Sequence, residues 1–218
     1  MKVWVVLPAY NEEKHITRVL AEVKKYSKNI VVVDDCSKDD TFNLSKKSKV
    51  TVLKNSVNKG KGRTLRKGCD YAASKGATHL VVMDSDGQHL AKDIPRFVDS
   101  LKKYDIVYGY RKFSKNMPVR FRFGNYVLNL FIWLLYGIRI EDSQSGYRAF
   151  SSKAYSKIRW NSQDYAMESE MIVKGSQSNL QHKQILIETI YIEKNKGTTP
   201  LDGLKILVDM IFWKVGLK

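Results

Sequence analysis

Cysteine is scarce in this sequence: Cys36 and Cys69 are the only two in 218 residues. Their separation has no metal-ligand spacing, and one pair cannot build a disulfide framework. A stapled secreted scaffold is therefore excluded and a reducing, cytosolic setting is expected. Acidic residues are few as well, 22 Asp and Glu against 38 Lys and Arg, for a formal net charge of +16. Such a field attracts polyanions, and by itself it leaves nucleic acid, an anionic membrane surface and phosphorylated small molecules all open. Long apolar runs are missing. The longest stretch without a charge, residues 123–138, has sixteen residues. As helix it measures about 24 Å, too short to cross a hydrocarbon core of roughly 30 Å. The apolar start at residues 3–7 is broken by Pro8 and followed by Asn11, Glu12 and Glu13, so it reads as a strand and not as a secretory signal. No fixed-period repeat or low-complexity segment marks a solenoid or a linker.

What is present is ordinary for a globular protein, with 43% hydrophobic and 28% charged residues, enough for a substantial core. Short apolar runs alternate with helical patterns. Residues 3–7, 30–33, 50–53 and a run ending at Met83 read as strands. Between them lie a helix over 12–26, with Ile16, Val19, Leu20 and Val23 on one stripe, and another carrying Leu65 and Ala72. Further on come a helix around 93–102, a strand over 105–108, the apolar segment 126–138, a strand after the polar stretch 141–147, a helix opening at 165–170 and a strand over 185–192. The alternation predicts an α/β fold, a mostly parallel sheet with helices on both faces, whose ligands bind beyond the carboxyl ends of the strands. Residues 1–200 are expected to form one domain. Residues 201–218 read as an appended amphipathic helix, with Leu201, Leu204, Val208, Ile211 and Val215 on one stripe and Ile206, Met210, Phe212 and Trp213 widening it. That helix suits either core packing or a membrane interface. Segment 126–138 has more apolar surface than one core-facing stripe needs, which leaves burial and lipid contact both open.

Three polar clusters fall at successive strand ends. After the first strand comes PAYNE, in which Tyr10 can stack on a base. After the second comes DDCSKDDT, in which Asp34 or Asp35 can accept hydrogen bonds from base or ribose. Singly, Asn11 or Asp39 reads as a helix cap; together the clusters read as one nucleotide pocket. The third is DSDGQH. Residues two apart on an extended chain share a face, so Asp84 and Asp86 can turn toward one ligand, with Gln88 next in register if the extended geometry persists. An oxygen-rich pair of this kind suits Mg²⁺ or Mn²⁺ completed by a diphosphate, and so a nucleotide-sugar. The loop NKGKG at 58–62 is neither a P-loop nor a dinucleotide fingerprint; its glycines permit a tight turn near the nucleotide. Arg111, Arg120 and Arg122 offer planar forks for phosphate oxygens. Glu168 and Glu170 stand where acids favour a helix start. Nucleic acid is disfavoured as a partner, because Asp34, Asp35, Asp84 and Asp86 would repel its backbone.

Taken in order, VVLPAYNEE, VVVDDCSKDDT, NKGKG, VVMDSDGQH, VYGYR, DSQSGYRAF and MESEM resemble the family 2 glycosyltransferases of the GT-A fold, and within them the polyprenyl-phosphate (dolichyl-phosphate) hexose synthases. The resemblance covers roughly residues 3–191. It implies a Rossmann-like GT-A domain and inverting transfer of a hexose, mannose being the first expectation. The donor would be GDP-mannose or a UDP-hexose, the acceptor dolichyl or polyprenyl phosphate, and the metal Mg²⁺ or Mn²⁺. By the same resemblance Pro8, Tyr10, Glu12 and Asp35 would hold the nucleotide. Asp84, Asp86 and Gln88 would hold metal and diphosphate, and Arg111 with Arg120 or Arg122 would bind phosphates. Asp86, Gln88 and Arg111 form the expected catalytic set. Two departures stand out: Gly87 occupies a place where many relatives carry leucine, and the late loop offers Lys194 and Lys196 where an arginine is often expected, so Lys196 is the expected phosphate contact there. With no membrane-spanning helices appended, the chain would meet its lipid as a peripheral protein on the cytoplasmic face of a membrane. A phosphate acceptor is already mostly dianionic at neutral pH, so its attack needs no general base.

Overall fold

The computed structural model describes residues 1–112, 119–189 and 199–216, without the side chains of residues 119–121 and 200. The first half runs β1 (Val3–Ala9), α1 (Ile16–Lys24), β2 (Ile30–Asp34), α2 (Thr41–Lys47), β3 (Thr51–Lys54), α3 (Lys61–Ser74) and β4 (His79–Val82). The second runs α4 (Ile94–Ser100), β5 (Ile106–Arg111), α5 (Val119–Tyr136), β6 (Arg148–Ser151), α6 (Ser152–Ile158), α7 (Ala166–Gln177), β7 (His182–Ile187) and α8 (Pro200–Lys214). The strands form one sheet in the order β3-β2-β1-β4-β6-β5-β7.

The expected parallel sheet is present from β3 to β4, and strand alternation divides its residues between two apolar layers. Trp4, Val6, Val31, Val33, Leu80 and Val82 face α3 and α5 to α8; Val5, Leu7, Val32, Val81 and Met83 face α1 and α4. Helix α3 lies unusually close to the sheet. A β-carbon on Gly68 would stand 2.5 Å from Val6 Cγ1 and 2.9 Å from Val33 Cγ2, so only glycine lets the helix seat at this depth.

The strand expected after residues 141–147 is present as β6, but strand–helix alternation did not foretell its direction: it runs antiparallel to both β4 and β5, with Arg148 in register with Val82 and Tyr108. Because β6 is reversed, the loop that enters it, residues 141–147, lies at the carboxyl end of β4 and β5. Polar groups from that loop therefore reach the end of the sheet where DSDGQH sits.

Helices α5 and α8 pack against one another, with the Tyr136 hydroxyl donating to the Met210 carbonyl at 2.6 Å. Each has two apolar faces. In α5, Leu128 and Ile132 are buried while Phe123, Tyr126, Trp133 and Leu134 are exposed, so the segment whose burial was open is half core and half surface. In α8 the inward residues are Ile206, Met210 and Trp213, and the stripe Leu201, Leu204, Val208, Ile211 and Val215 faces outward. Thr199 and Asp202 close a capping box at the start of α8. Among the described residues no helix is long and apolar enough to cross a membrane.

Candidate active site

The ends of β1 and β4 are tied together by the Ser85 hydroxyl, which donates to the Pro8 carbonyl at 2.7 Å. Beyond Pro8, Tyr10 is 41% exposed and its ring stands open to a flat ligand. The next turn is laced to the end of β2. Asn11 N–H donates to Ser37 Oγ, Asn11 Oδ1 accepts from Lys38 N–H, and the N–H of buried Glu12 donates to Thr41 Oγ1. Asn11 is thus a bridge between two strand ends, not a simple helix cap, whereas Asp39 Oδ1 accepts from the N–H of Thr41, the first residue of α2, at 3.0 Å.

The two aspartates at the end of β2 divide their work. Asp34 is wholly buried and accepts from Ser37 N–H. Asp35 accepts from Asn55 Nδ2 at 2.7 Å, Lys59 N–H at 2.9 Å and Gly60 N–H at 2.9 Å. It therefore anchors the NKGKG loop as well as lining the pocket. Gly60, at φ +82°, and Gly62 press against the backbone of Ser162 and Gln163 and, for Gly60, the Asp164 carboxylate, where a side chain would collide. Gly62 N–H donates to the Gln163 carbonyl at 2.5 Å.

That anchoring delivers Lys61, the first residue of α3, into the site. Its ammonium lies 2.7 Å from Asp84 Oδ1 and 3.0 Å from Glu168 Oε1. Burial would lower the Lys61 pKa, but the charges of Asp84 and Glu168 override it and hold the ammonium above its ordinary range. Glu168 is 1% exposed. Sequence reasoning took the NKGKG loop for a turn presenting backbone and Glu168 for a helix-start acid. The only signal for their contact is that NKGKG and MESEM both belong to the set of motifs that carries the family resemblance.

DSDGQH leaves the sheet at once. Gly87 adopts φ +78°, and Gln88 N–H turns back to Asp86 Oδ1 at 2.9 Å. The extended geometry does not persist to Gln88, whose partly buried side chain is carried by a turn. The left-handed φ suits glycine better than the leucine of many relatives. Burial acts to raise Asp84, but Lys61, His89 and Arg111 outweigh it and hold its carboxyl below the usual range. For Asp86, burial and the charge of Asp84 both act upward, and the net shift is upward. His89 Nδ1 receives the Asp84 N–H at 3.2 Å, and its ring lies against Tyr147.

Arg111, at the end of β5, is gripped by buried Asp142, with Nε to Oδ2 at 2.6 Å and Nη2 to Oδ1 at 3.0 Å. Burial would raise Asp142, but Arg111 overrides it and holds the carboxyl low. Asn125 of α5 donates to the same carboxylate. Behind this stands Arg148, 1% exposed, which donates to the carbonyls of Ser145 at 3.0 Å, Glu168 at 2.5 Å and Ser143 at 2.8 Å. It shapes the loop so that Gly146 approaches the site: a β-carbon there would stand 2.7 Å from Asp84 Oδ2 and 2.9 Å from Lys61 Nζ. Asp142, Gly146 and Arg148 were legible only as part of DSQSGYRAF. Arg122 is exposed on α5. The side chain of Arg120, and all of Lys194 and Lys196, lie outside the described residues.

Among the described residues no group of three His, Cys, Asp or Glu is arranged to hold a metal. A sparser site fits the chemistry. Asp84 and Asp86 are hard oxygen donors, and the upward push of one on the other is the repulsion that a divalent cation would relieve, with diphosphate oxygens and water completing its shell.

Solved structures define the class first. The structure superposes on glucosyl-3-phosphoglycerate synthase from Mycobacterium tuberculosis, solved with Mn²⁺, uridine diphosphate and phosphoglyceric acid, with a TM-score of 0.77 at 18% identity over all of this chain and 79% of that one. This is the GT-A fold. The family follows from sequence: the model of glycosyl transferase family 2 matches residues 4–159, and the chain belongs to that family. Relatives include an uncharacterized protein of Methanocaldococcus jannaschii, 39% identical over 98% of this chain and 93% of that one. The UDP-N-acetylglucosamine–dolichyl-phosphate N-acetylglucosaminyltransferase of Methanococcus voltae is 33% identical over 98% and 96%. The undecaprenyl-phosphate mannosyltransferase of Micrococcus luteus is 24% identical over 93% and 88%.

Proposed function

We propose that this glycosyltransferase moves a sugar from a nucleotide-diphosphate donor to dolichyl or polyprenyl phosphate. The observation that carries the reading is the carboxylate pair Asp84 and Asp86 at the end of β4, with the Lys61 ammonium 2.7 Å from Asp84 and the charge of Arg111 helping to hold Asp84 ionised. Relatives named for lipid-phosphate acceptors, matched along nearly their full length, support the choice of acceptor.

In this reading Pro8, Tyr10 and Glu12 bound the nucleotide pocket, and Asp35 holds its loop. Asp84 and Asp86, helped by Gln88, hold Mg²⁺ or Mn²⁺, which supplies positive charge to the diphosphate leaving group. Arg111, clamped by Asp142, presents a fixed cation to phosphate oxygens, with Arg120, Arg122 and Lys196 as further phosphate contacts. An acceptor phosphate oxygen bonds to the anomeric carbon as the bond to diphosphate oxygen breaks, with inversion. Alignment and charge neutralisation carry most of the catalysis. The sugar follows the more similar of the two named transferases, so N-acetylglucosamine from a uridine donor is placed ahead of mannose from a guanosine donor. The test is transfer of labelled sugar from UDP-N-acetylglucosamine, GDP-mannose and UDP-glucose to dolichyl phosphate, with Mn²⁺ or with chelator. Metal-dependent label in lipid from one donor is the expected result; no lipid label from any donor removes the lipid-phosphate reading.

Residues 1–200 are the catalytic unit of this proposal, and residues 201–218, with α5, are its membrane-facing part. The outward stripes of α5 and α8 are apolar on a chain of net charge +16, complementary to an anionic lipid surface at the cytoplasmic face. The protein is expected to cosediment with anionic vesicles at low salt and to release as salt screens the attraction. Leu204→Asp should weaken that binding by about tenfold to a hundredfold, since one leucine buried in lipid is worth roughly 1.5–3 kcal/mol. Equal binding by wild type and variant would remove α8 from the interface.

A further inference from the structure

One of the two carboxylates proposed to hold a divalent ion, Asp84, already holds a cation of the chain's own. Lys61 Nζ is in direct contact with Asp84 Oδ1 at 2.7 Å and with Glu168 Oε1 at 3.0 Å. The contact is built in from several sides. Asp35 and the close seating of Gly60 and Gly62 fix the start of α3. The bare backbone of Gly146 closes over both Lys61 Nζ and Asp84 Oδ2. Glu168 is 1% exposed, and among the described residues neither of its carboxylate oxygens has a hydrogen-bond partner, so the Lys61 ammonium 3.0 Å from Oε1 is the contact that answers its charge. Arg148, also buried, donates to backbone carbonyls, that of Glu168 among them. Glu168 therefore has a use for Lys61 that is independent of Asp84.

We propose that Lys61 is a resident cation that competes with the divalent ion for Asp84, and that Glu168 is the buried anchor that keeps the ammonium in the site when Asp84 is given up. The inference rests on the metal reading above and assigns Lys61 and Glu168 as positioning residues that set metal affinity. Asp84 is spared an unpaired charge while the site awaits its donor, and the exchange replaces one cation by another without leaving Glu168 buried and alone. The same competition makes metal binding weak until a diphosphate adds its own negative charge, so metal and donor should load together.

The test is binding of Mn²⁺ alone to the full-length protein, read from the electron paramagnetic resonance signal of free Mn²⁺. Lys61→Met is expected to tighten Mn²⁺ by about tenfold or more, because a unit charge a few ångströms from the ion is removed. Unchanged or weaker binding overturns the proposal. Should Lys61→Met fail to fold, Glu168→Gln is compared with Lys61→Met/Glu168→Gln, in which both charges are gone. The double variant is expected to bind about tenfold tighter than Glu168→Gln, and equal affinity overturns the proposal. Asp86→Ala separates the two readings. Binding that is lost in Asp86→Ala but not tightened in Lys61→Met sinks only the resident cation. Absence of binding in every folded variant sinks the metal site as well.

Discussion

Asp86→Ala is expected to reduce sugar transfer on the order of a thousandfold, the scale lost when charge stabilisation of a leaving group is removed. The same change should leave the melting temperature at neutral pH no lower than that of the wild type. The reason lies in the sign of its pKa shift. Burial and Asp84 raise Asp86 above its ordinary value, so between those two values the folded chain binds a proton that the unfolded chain has lost, and stability falls as pH rises through that interval. Alanine has no such penalty, which offsets the loss of the hydrogen bond from Gln88 N–H. Asp84→Ala should behave oppositely. Asp84 is held low, so its ionised form stabilises the fold above the ordinary carboxylate range, and that contribution is lost as pH falls through the depressed value. Asp84→Ala should therefore melt below the wild type at neutral pH, with Lys61 left to Glu168. Transfer assays beside thermal melts check both variants. Retention of activity in Asp86→Ala would remove Asp86 from the metal site; a large loss of stability would contradict the electrostatic account.

Arg148→Met is expected to cost about 3 kcal/mol or more, because three carbonyls lose a buried charged donor. For a chain of this length that lowers Tm by roughly 6–12 °C. Transfer should fall with it, since the loop that brings Gly146 against Asp84 and Asp142 against Arg111 is shaped by those hydrogen bonds. Arg148→Lys should not rescue either property: an ammonium is a compact point charge and cannot span the carbonyls of Ser143, Ser145 and Glu168 as a planar fork does. The packing over Tyr108, where the guanidinium lies 5.1 Å from the ring centroid, is weakened in both. A melt within a degree or two of wild type with full activity would show that the loop holds its shape without Arg148.

Much of the architecture could be read before any coordinates. The strand runs of β1, β2 and β4 and the stripe Ile16, Val19, Leu20 and Val23 of α1 follow from local periodicity, and the structure buries each of them. DSDGQH was legible as a candidate because residues two apart on an extended chain share a face and because two more polar clusters stand at neighbouring strand ends; alone, Asp and Gly there are equally ordinary turn formers. The polar clusters after β1 and β2 do meet at neighbouring strand ends, as their places in the alternation imply, but Asp35 also holds the NKGKG loop through hydrogen bonds that residue types alone do not announce. The outward stripe of α8 was legible as a stripe but not as a surface. Its periodicity is equally good for the overlapping set Ile206, Met210 and Trp213, and only contact with α5 and α7 selects which face packs.

The order of the strands, the helices other than the short α2 and α6, the positions of the polar strand ends and the basic character of the chain were determined by the sequence itself, because each depends on neighbours a few residues apart or on composition. The reversal of β6, the clasp of Arg111 by Asp142 and the seating of Lys61 between Asp84 and Glu168 were decided only by the tertiary structure. Those are contacts between buried charges from distant parts of the chain. Their energy depends on ångström separations and on exclusion of water, and neither exists until the sheet has brought its ends together.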